Sequence, residues 1–484
     1  MTIAPRRFAW PWLVAGWSSV AAGLIGCAIL LSVKGEDFEW SKNLENIPAL
    51  ELALGSMASG FFFLALRWLI PESVNRLDRG EGYAFAFAFV VAIGLLARII
   101  LLPSVPALED DFYRYLWDGG VTVAGFNPYA RPPDAVFDND GPEPLKQLAA
   151  QSGAVIERVN HPHLKTIYPP VAQVWFAISH AIEPWSLLAW RFVGLASEIL
   201  SLLLIVKLLS LCKRSSLWSA LYWWNPLVIK ELTNSAHMEV VLIPVVLLAI
   251  LSACHQRFVA SAATLGIAIG TKLWPVLLLP LALRPLAARP TALFATLLLL
   301  AGMTLLWAWP VILGGLNDTS GFVAFAREWR TNSALFQALN AIAESIGAAL
   351  GGSAEVSGLA LRGLLATIVG LVAFKLAKPE YVSPIDVIHR FGWVIGLLVI
   401  LSPAQFPWYA TWILCLMPFM PLAGLFALTI ALPLYYVSFA FIANDNLEHY
   451  NSAVIWVIWL PIWLAFLFDG VAQYPAPDRV APNV

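Results

Sequence analysis

Two adjacent acids, Asp110 and Asp111, are the residues whose types and position most clearly suit chemistry. They follow an apolar segment at about 83–103 and stand in the run LeuGluAspAspPheTyrArgTyrLeuTrpAspGly (Leu108–Gly119). Ionisable groups beside the hydrocarbon of a membrane are costly to keep and usually mark function. A carboxylate here suits taking a proton from a hydroxyl, and Arg114, on the same helical face, would keep it ionised or contact a phosphate. The alternative is that one acid only caps the helix that follows.

The composition of the chain indicates a membrane protein. Of its 484 residues, 60% are hydrophobic and only 12% are charged, more apolar surface than a soluble protein of this length can bury. The net charge of −2 gives no indication of a nucleic-acid partner. We therefore predict an all-α polytopic protein in the lipid bilayer, with about 12–14 transmembrane helices. The candidate segments lie at about 10–33, 50–70, 83–103, 185–211, 216–232, 238–254, 258–271, 273–283, 291–315, 357–377, 391–403, 405–420, 422–443 and 451–469.

The basic residues predict the orientation of these segments. They fall in alternate short connections, which the positive-inside rule places in the cytoplasm. Both termini are then cytoplasmic, in the inner membrane of a bacterium, and the long connection at 104–184 faces outward with both acids. The polar tail at 471–484 is predicted to be disordered. The basic residues that carry this assignment are Arg6, Arg7, Arg76, Arg79, Lys213, Arg214, Arg257, Arg284, Arg289, Lys375, Lys378 and Arg390.

The outer segment at 104–184 is the only long polar connection, and it contains helix-like stretches at about 111–124 and 143–158. The first has aromatic residues and leucine on one side, as in helices that lie at a membrane interface. The cytoplasmic connections are short and carry no glycine-rich nucleotide-binding motif. An enzyme forming bonds outside would therefore receive its activated donor through the membrane, and a polyprenyl-phosphate sugar meets that requirement.

The order of several short motifs resembles the membrane-embedded glycosyltransferases of the GT-C type. It is most similar to the bacterial mannosyltransferases that use polyprenol-phosphate-mannose. Residues 1–80 fall outside this resemblance and read as an added transmembrane hairpin of unknown purpose, whereas 81–470 form the GT-C-like core. The motifs are AspAspPheTyrArgTyrLeuTrpAspGly (Asp110–Gly119), GlyPheAsnProTyr (Gly125–Tyr129), IleTyrProPro (Ile167–Pro170), AsnProLeuValIleLysGlu (Asn225–Glu231), SerAlaHis (Ser235–His237), ThrLysLeuTrpPro (Thr271–Pro275), GluTrpArgThrAsnSer (Glu328–Ser333) and ProTrpTyr (Pro407–Tyr409).

The resemblance implies an inverting transfer of a hexose, most readily mannose, from a polyprenyl-phosphate donor to a glycolipid or glycan acceptor. One of Asp110 and Asp111 is then the general base, with Asp111 slightly favoured, and the other orients it or binds an ion. A requirement for a divalent cation stays open, because the sequence identifies no cofactor. The rival interpretation is a transporter or flippase of a lipid-linked saccharide, for which paired broken helices in two related halves would be the mark.

The remaining candidate residues each have a plainer explanation beside the functional one. Candidates for binding the donor or its phosphate are Arg114, Lys272, His237, Arg98 and Glu239. Lys272 breaks an apolar stretch and either contacts the phosphate or forms a structural ion pair. Arg98 either reaches outward to the interface or pairs with Glu198, the acids or a phosphate. His237 and Glu239 contact the donor or form a polar pair at the interface. Candidates for contact with the sugar or lipid are Tyr113, Tyr129, Tyr168, Trp408 and Tyr409, and an interfacial aromatic belt is the alternative for the last two.

Overall fold

The computed structural model of the protein describes residues 10–40, 43–77, 81–139, 141–378, 380 and 382–472. In these ranges the regular structure is helical, with no strand and a single isolated bridge between Thr331 and Ala404. Three of the arginines used for orientation (Arg6, Arg7 and Arg79) lie outside the described residues, as does all but the start of the predicted tail, from 473 onward. The all-α prediction is confirmed.

Nine helices in the described residues are long and apolar enough to cross a membrane, so the chain is a polytopic membrane protein. Each has at least 18 residues, which at about 1.5 Å per residue approaches the thickness of the hydrocarbon layer. They are Pro11–Val33, Ala49–Arg76, Gly82–Leu101, Leu187–Leu211, Pro290–Gly314, Ala354–Leu376, Pro384–Leu401, Ala423–Ala443 and Leu447–Gly470.

The other predicted membrane segments are short or broken helices. The segment at 216–232 is interrupted at Trp224, and the Asn225 side chain accepts hydrogen bonds from the amides of Leu227 and Val228 to start the next turn. Nearly all residues of the segment at 216–232 are buried. Irregular backbone within a membrane protein is tolerated where other protein segments, rather than lipid, surround it. The pieces are Ser216–Ser219, Ala220–Trp223, Pro226–Ile229, Lys230–Asn234 (a π-helix), Glu239–Cys254, Phe258–Thr271, Trp274–Leu278, Leu279–Leu283, Arg284–Ala288, Pro407–Ala410 and Thr411–Leu414.

The long segment after residue 103 folds into helices that cover one end of the bundle. The predicted helix at 111–124 is present as Asp111–Val123, and its apolar side packs on Pro170–Ile182. The predicted helix at 143–158 is divided at Gly153, whose positive φ of 56° ends one helix and starts another. Outside the membrane spans, the described helices are Gly35–Phe38, Leu44–Asn46, Asp111–Val123, Pro133–Val136, Glu143–Ser152, Ala154–Glu157, Pro170–Ile182, Gly321–Glu328 and Ala334–Ala349.

The N-terminal helices pack into the bundle and approach the acidic pair. Trp10–Val33 packs against Glu81–Leu101, and Ala49–Leu64 packs against Ala423–Ala431. Between these two N-terminal helices, the carbonyl of Phe38 accepts a hydrogen bond of 2.8 Å from the amide of Leu108. The hairpin therefore helps to fix the backbone two residues before the first aspartate.

Candidate active site

Both aspartates line a cavity of about 690 Å³ at one end of the bundle. This volume lies within the range of about 300–1,000 Å³ usual for small-molecule sites. Its walls combine charged groups with a large aromatic surface. The acids are Glu109, Asp110, Asp111 and Glu239, and the basic residues are Arg114, His161, Lys165 and Lys272. The aromatic residues are Trp40, Tyr115, Tyr168, Trp274, Phe322, Phe325, Trp329, Phe406, Trp408, Tyr409, Trp412, Tyr435 and Phe439.

Two strained backbone positions present the polar side chains of the site. Leu108 has φ of 54° and Ala236 has φ of 58°, and each directly precedes a site residue, Glu109 or His237. A non-glycine residue in this region costs of order 1–3 kcal/mol and persists only where surrounding contacts impose it. The Asn234 side chain supplies such contacts, because it accepts a hydrogen bond of 3.0 Å from the amide of Ala107 and donates to neighbouring groups.

Asn160 holds the two aspartates side by side. Its amide nitrogen donates to Asp111 Oδ1 at 2.6 Å and to Asp110 Oδ1 at 3.2 Å. The hydroxyl of Tyr115 lies 3.5 Å from the other oxygen of Asp111. Asp110 stands at the N-cap position of the helix, yet its side chain makes no capping hydrogen bond. The capping explanation therefore does not account for these acids, whose carboxylates point into the cavity.

The neighbouring charges give the two aspartates different proton affinities. Burial, together with the carboxylates of Asp111 and Glu109, raises the pKa of Asp110 to about 7. Burial also acts to raise the pKa of Asp111, but its interactions with His237 and Asn160 and the charge of Lys272 outweigh burial and lower it. At neutral pH Asp111 is therefore ionised, whereas Asp110 is close to the midpoint of its titration.

His237 lies behind Asp111 and is completely buried. Its Nδ1 is 3.6 Å from Asp111 Oδ2, and its ring stacks on Trp408 with centroids 3.9 Å apart. Burial acts to lower the pKa of His237, but the carboxylates of Glu109 and Asp111 outweigh it and raise that pKa to about 10. The surroundings of the imidazole therefore favour positive charge at this position. His237 does not line the cavity and reaches it through Asp111.

Lys272 and Glu239 form an ion pair in the cavity wall. The helix Phe258–Thr271 ends just before Lys272, whose extended backbone confirms the predicted break. The ammonium contacts Glu239 Oε1 and lies 4.3 Å from the centre of the Tyr409 ring. The side chain of Lys272 is 20% exposed, whereas that of Glu239 is 1% exposed. Lys272 thus forms the structural ion pair that was one of its two predicted roles, and it also lines the cavity.

Arg114 and Lys165 bring two further cations to the cavity. The Arg114 guanidinium donates to the carbonyls of Asn160, His161 and Leu164, at 3.2, 2.9 and 2.9 Å. These bonds fix the chain that carries Asn160, so Arg114 also positions the aspartates indirectly. The Lys165 ammonium donates to the carbonyl of Gly314 at 2.7 Å.

The remaining candidate residues divide into those at the cavity and those away from it. Tyr168, Trp408 and Tyr409 line the cavity. Tyr113 and Tyr129 do not; the Tyr129 hydroxyl donates to the carbonyl of Tyr168 at 2.7 Å and so supports that residue from behind.

Arg98 lies away from the cavity and is fully buried in a salt bridge of 2.6 Å with Glu198. This is the Glu198 pairing that the sequence left as one alternative, and the position gives no support to a phosphate contact. We therefore leave Arg98 out of the proposed donor site.

Sequence reasoning missed several residues of the site. Glu109 and Glu231 belong to quoted motifs, but the contact of Glu109 with His237 joins segments more than 100 positions apart, and that of Glu231 depends on the turn between Glu231 and His237. Asn160 and Tyr115 are common residue types with no distinguishing spacing. Only the adjacency of Glu109 to the acidic pair was a usable signal.

The fold and the cavity define a class of protein: an integral membrane protein with a cavity lined by acids, bases and aromatic rings at one end of its helical bundle. Residues 14–289 match the sequence model of a family described as alpha-(1->6)-mannopyranosyltransferase, N-terminal domain. The match covers more than half of the chain, and the chain belongs to this family of mannosyltransferases. No curated protein and no solved structure matches the chain. The matched region starts at residue 14, so it includes the N-terminal helices that we interpreted as an addition to the core.

Proposed function

We propose that this cavity transfers mannose from a polyprenyl-phosphate carrier to a hydroxyl of a glycan or glycolipid, with Asp111 as the general base. Asp111 takes the proton of the acceptor hydroxyl while that oxygen forms a bond to C1 of the mannose. The bond between C1 and the phosphate oxygen breaks, and the polyprenyl phosphate leaves with the bonding electrons. Attack from the side opposite the phosphate inverts the configuration at C1.

The observation that carries this proposal is that an oriented, ionised Asp111 and the partly exposed Lys272 line one cavity. Asn160 and Tyr115 hold the two oxygens of Asp111, so the carboxylate is fixed before substrate binds. Lys272 supplies positive charge for the phosphate, and Arg114 and Lys165 add to it. Asp110 accepts a hydrogen bond from the same Asn160 and so helps to orient the Asp111 carboxylate.

A lipid-linked donor fits the surroundings of the cavity. Leu273, next to Lys272, lines the cavity and is an apolar side chain that is 54% exposed. It offers an apolar contact for a polyprenyl chain whose phosphate lies at Lys272. The aromatic walls offer faces on which a sugar ring can stack.

The family description suggests the acceptor and the donor configuration. An α-(1→6) linkage is formed when the primary hydroxyl at C6 of a mannoside attacks C1. Because inversion reverses the configuration at C1, an α-linked product requires a β-linked mannosyl phosphate. The acceptor is accordingly a mannose-terminated glycan or glycolipid.

The decisive experiment replaces each aspartate by asparagine, which keeps the shape but cannot take the proton. Asp111→Asn should lower the transfer rate by about 10²-fold or more and leave donor binding close to normal. Turnover and donor affinity are measured with purified protein, labelled polyprenyl-phosphate-mannose and mannoside acceptors. Asp138→Asn, an exposed aspartate of the same outer segment, is the matched control and should retain full activity.

Normal turnover of both Asp110→Asn and Asp111→Asn would exclude the proposed base. The same assay separates the enzyme from a flippase, because only an enzyme releases free carrier together with a new mannosylated product. Movement of intact donor without that product would favour the transporter interpretation.

We also propose that the cavity faces outward and that both termini are cytoplasmic. The alternation of basic connections supports this orientation, because Arg257, Arg284 and Arg289 lie at connections next to the one that carries Lys272. Cysteines replacing Asp138 and Gln151 should react with an impermeant maleimide in spheroplasts, whereas one replacing Arg289 should react only after lysis. The opposite labelling pattern would contradict the orientation and the argument for a lipid-linked donor.

A further inference from the structure

Two buried carboxylates approach one nitrogen of His237. The Nε2 atom lies 3.3 Å from Glu109 Oε2 and 3.6 Å from Glu231 Oε2. The exposed fractions of Glu109, Glu231 and His237 are 7%, 0% and 0%. One ligand atom from each of the three lies within 4.8 Å of the others. These residues form a compact set of ligand atoms behind the cavity wall.

Two atoms that face one another in this set, His237 Nε2 and Glu231 Oε2, lack hydrogen-bond partners. Neither nitrogen of His237 has a partner, and neither does Glu231 Oε2. Leaving such buried atoms unpaired costs about 1–3 kcal/mol each. The other oxygens, Glu109 Oε1 and Glu231 Oε1, lie 3.2 and 2.7 Å from the hydroxyl of Tyr436. His237 Nε2 and Glu231 Oε2 therefore face one location between the three side chains, whereas His237 Nδ1 faces Asp111.

The separations match the edges of a metal coordination shell. Ligands at about 2.1 Å from a tetrahedral zinc ion lie about 3.4 Å from one another. The two distances from His237 Nε2 fall on either side of this value. Two carboxylates and one imidazole are also a ligand set that suits zinc and similar transition ions.

We propose that Glu109, Glu231 and His237 bind one divalent transition-metal ion of the zinc type, directly behind the proposed base. The ion satisfies His237 Nε2 and Glu231 Oε2 at once. It also fixes the tautomer of His237, because a histidine that binds a metal through Nε2 carries its hydrogen on Nδ1.

The contact between His237 and Asp111 then has a defined role. His237 Nδ1 faces Asp111 Oδ2 at 3.6 Å, and a metal-bound histidine commonly donates its other N–H to a carboxylate. The metal would orient Asp111 through the imidazole without itself touching the substrate. His237 is accordingly a positioning residue.

The charge balance also favours an ion. The carboxylates of Glu109, Glu231 and Asp111 carry three negative charges. The Lys230 ammonium, 3.6 Å from Glu231 and 3.8 Å from Glu109, carries one positive charge. A divalent cation between these side chains would offset the two negative charges that the Lys230 ammonium leaves uncompensated.

The test measures metal directly and needs no activity assay. Full-length protein in detergent is stripped with a chelator, loaded with Zn²⁺, washed, and analysed by elemental mass spectrometry. We expect about one bound zinc per chain, falling below about 0.1 in Glu231→Gln and in His237→Gln. The matched control is Glu239→Gln, which makes the same change in a neighbouring buried acid and should keep the zinc.

A second measurement distinguishes loss of the metal site from failure of a variant to fold. Loading with Co²⁺ gives visible absorption bands that are intense for tetrahedral sites, and these bands should be present in the wild-type protein and in Glu239→Gln. Asp111→Asn should keep the bands but bind the metal about 10–100-fold more weakly, as expected for a residue that acts through the histidine.

Three results would overturn the inference. The first is a wild-type protein that retains no metal after washing, which would mean that the three side chains form no metal site. The second is retention of as much zinc in Glu231→Gln and His237→Gln as in the wild type, which would make the binding adventitious. The third is a cobalt spectrum that persists unchanged in those folded variants, which would place the metal elsewhere.

Discussion

Arg98–Glu198 and Lys272–Glu239 are both ion pairs in which a cation interrupts an apolar segment, yet they differ in their access to the cavity. Both side chains of the first pair are shielded, with exposed fractions of 0% and 1%. In the second pair Glu239 is equally shielded at 1%, but Lys272 is 20% exposed and lines the cavity. The same sequence feature, a charge in a hydrophobic stretch, thus has two structural outcomes.

The neighbours of each pair explain the difference. The Arg98 guanidinium also donates to the carbonyls of Gly94 and Trp223, both at 2.9 Å, and Thr233 donates to Glu198. The guanidinium lies 3.6 Å from the centre of the Trp223 ring. These bonds connect four helical segments, and of the polar atoms of this pair only Arg98 Nε lacks a hydrogen-bond partner. Such a buried network has a structural role.

The pair at the cavity is less completely partnered. The Lys272 ammonium touches the faces of Tyr409 and Trp412, and Glu239 Oε2 has no hydrogen-bond partner. A lysine ammonium has three hydrogens, so donors remain for a ligand that enters the cavity. The comparison indicates that hydrogen-bonding capacity open to the cavity, rather than charge in an apolar segment, distinguishes the pair that we assign to the donor.

The largest expected effect is on stability, for the pair away from the cavity. Arg98→Met leaves Glu198 as an unpaired buried charge and should lower the free energy of unfolding by about 3–5 kcal/mol. Denaturant unfolding in detergent measures this. The double variant Arg98→Met/Glu198→Gln removes the unpaired charge and should recover much of the loss. Donor affinity in the folded double variant should equal that of the wild type, and weaker binding would assign Arg98 a part in the donor site after all.

The next effect concerns the pair at the cavity. Lys272→Met keeps the length of the side chain but removes its positive charge, and it should weaken donor binding by about tenfold or more, since a charged hydrogen bond contributes about 1.5–3 kcal/mol. Binding of labelled donor to the purified variant measures this. Lys146→Met, on the helix Glu143–Ser152 and away from the cavity, is the control and should bind donor normally.

A loss of stability must be separated from a loss of binding here, because Lys272→Met also leaves Glu239 unpaired. Lys272→Met/Glu239→Gln corrects that imbalance and should unfold more like the wild type. If donor binding also returns to normal in the double variant, the lysine is only a structural partner of Glu239 and the assignment to the phosphate fails.

The sequence was sufficient for the features that depend on local pattern. Apolar length identified the spanning segments, and the first predicted helix, at 10–33, begins and ends where the structure places it, at Trp10 and Val33. The break at Lys272 was also predicted, because a lysine and a nearby proline interrupt an apolar run. Adjacent carboxylates at the end of such a run identified Asp110 and Asp111 for the same reason of local chemical cost.

The features that depend on tertiary contacts were not predictable from one sequence. Whether Arg98 reached the interface or Glu198 depended on a helix 100 positions away. The turn that carries His237 follows a π-helix at Lys230–Asn234, and no local signal distinguishes that turn from an ordinary helix end. The role of Asn160 arises only because Arg114 folds the outer segment back over the aspartates.

The smallest effect is expected for an ion pair whose two side chains are exposed to solvent. Glu72 and Arg76 are four residues apart on the helix Leu66–Arg76 and are paired, with side chains 44% and 42% exposed. Glu72→Gln should change the free energy of unfolding by no more than about 0.5 kcal/mol, because water solvates both charges when the pair is absent. The measurement is the same denaturant titration as for Arg98→Met. A loss comparable with that of Arg98→Met would show that ion pairing itself, rather than burial, determines stability here, and the distinction between the three pairs would fail.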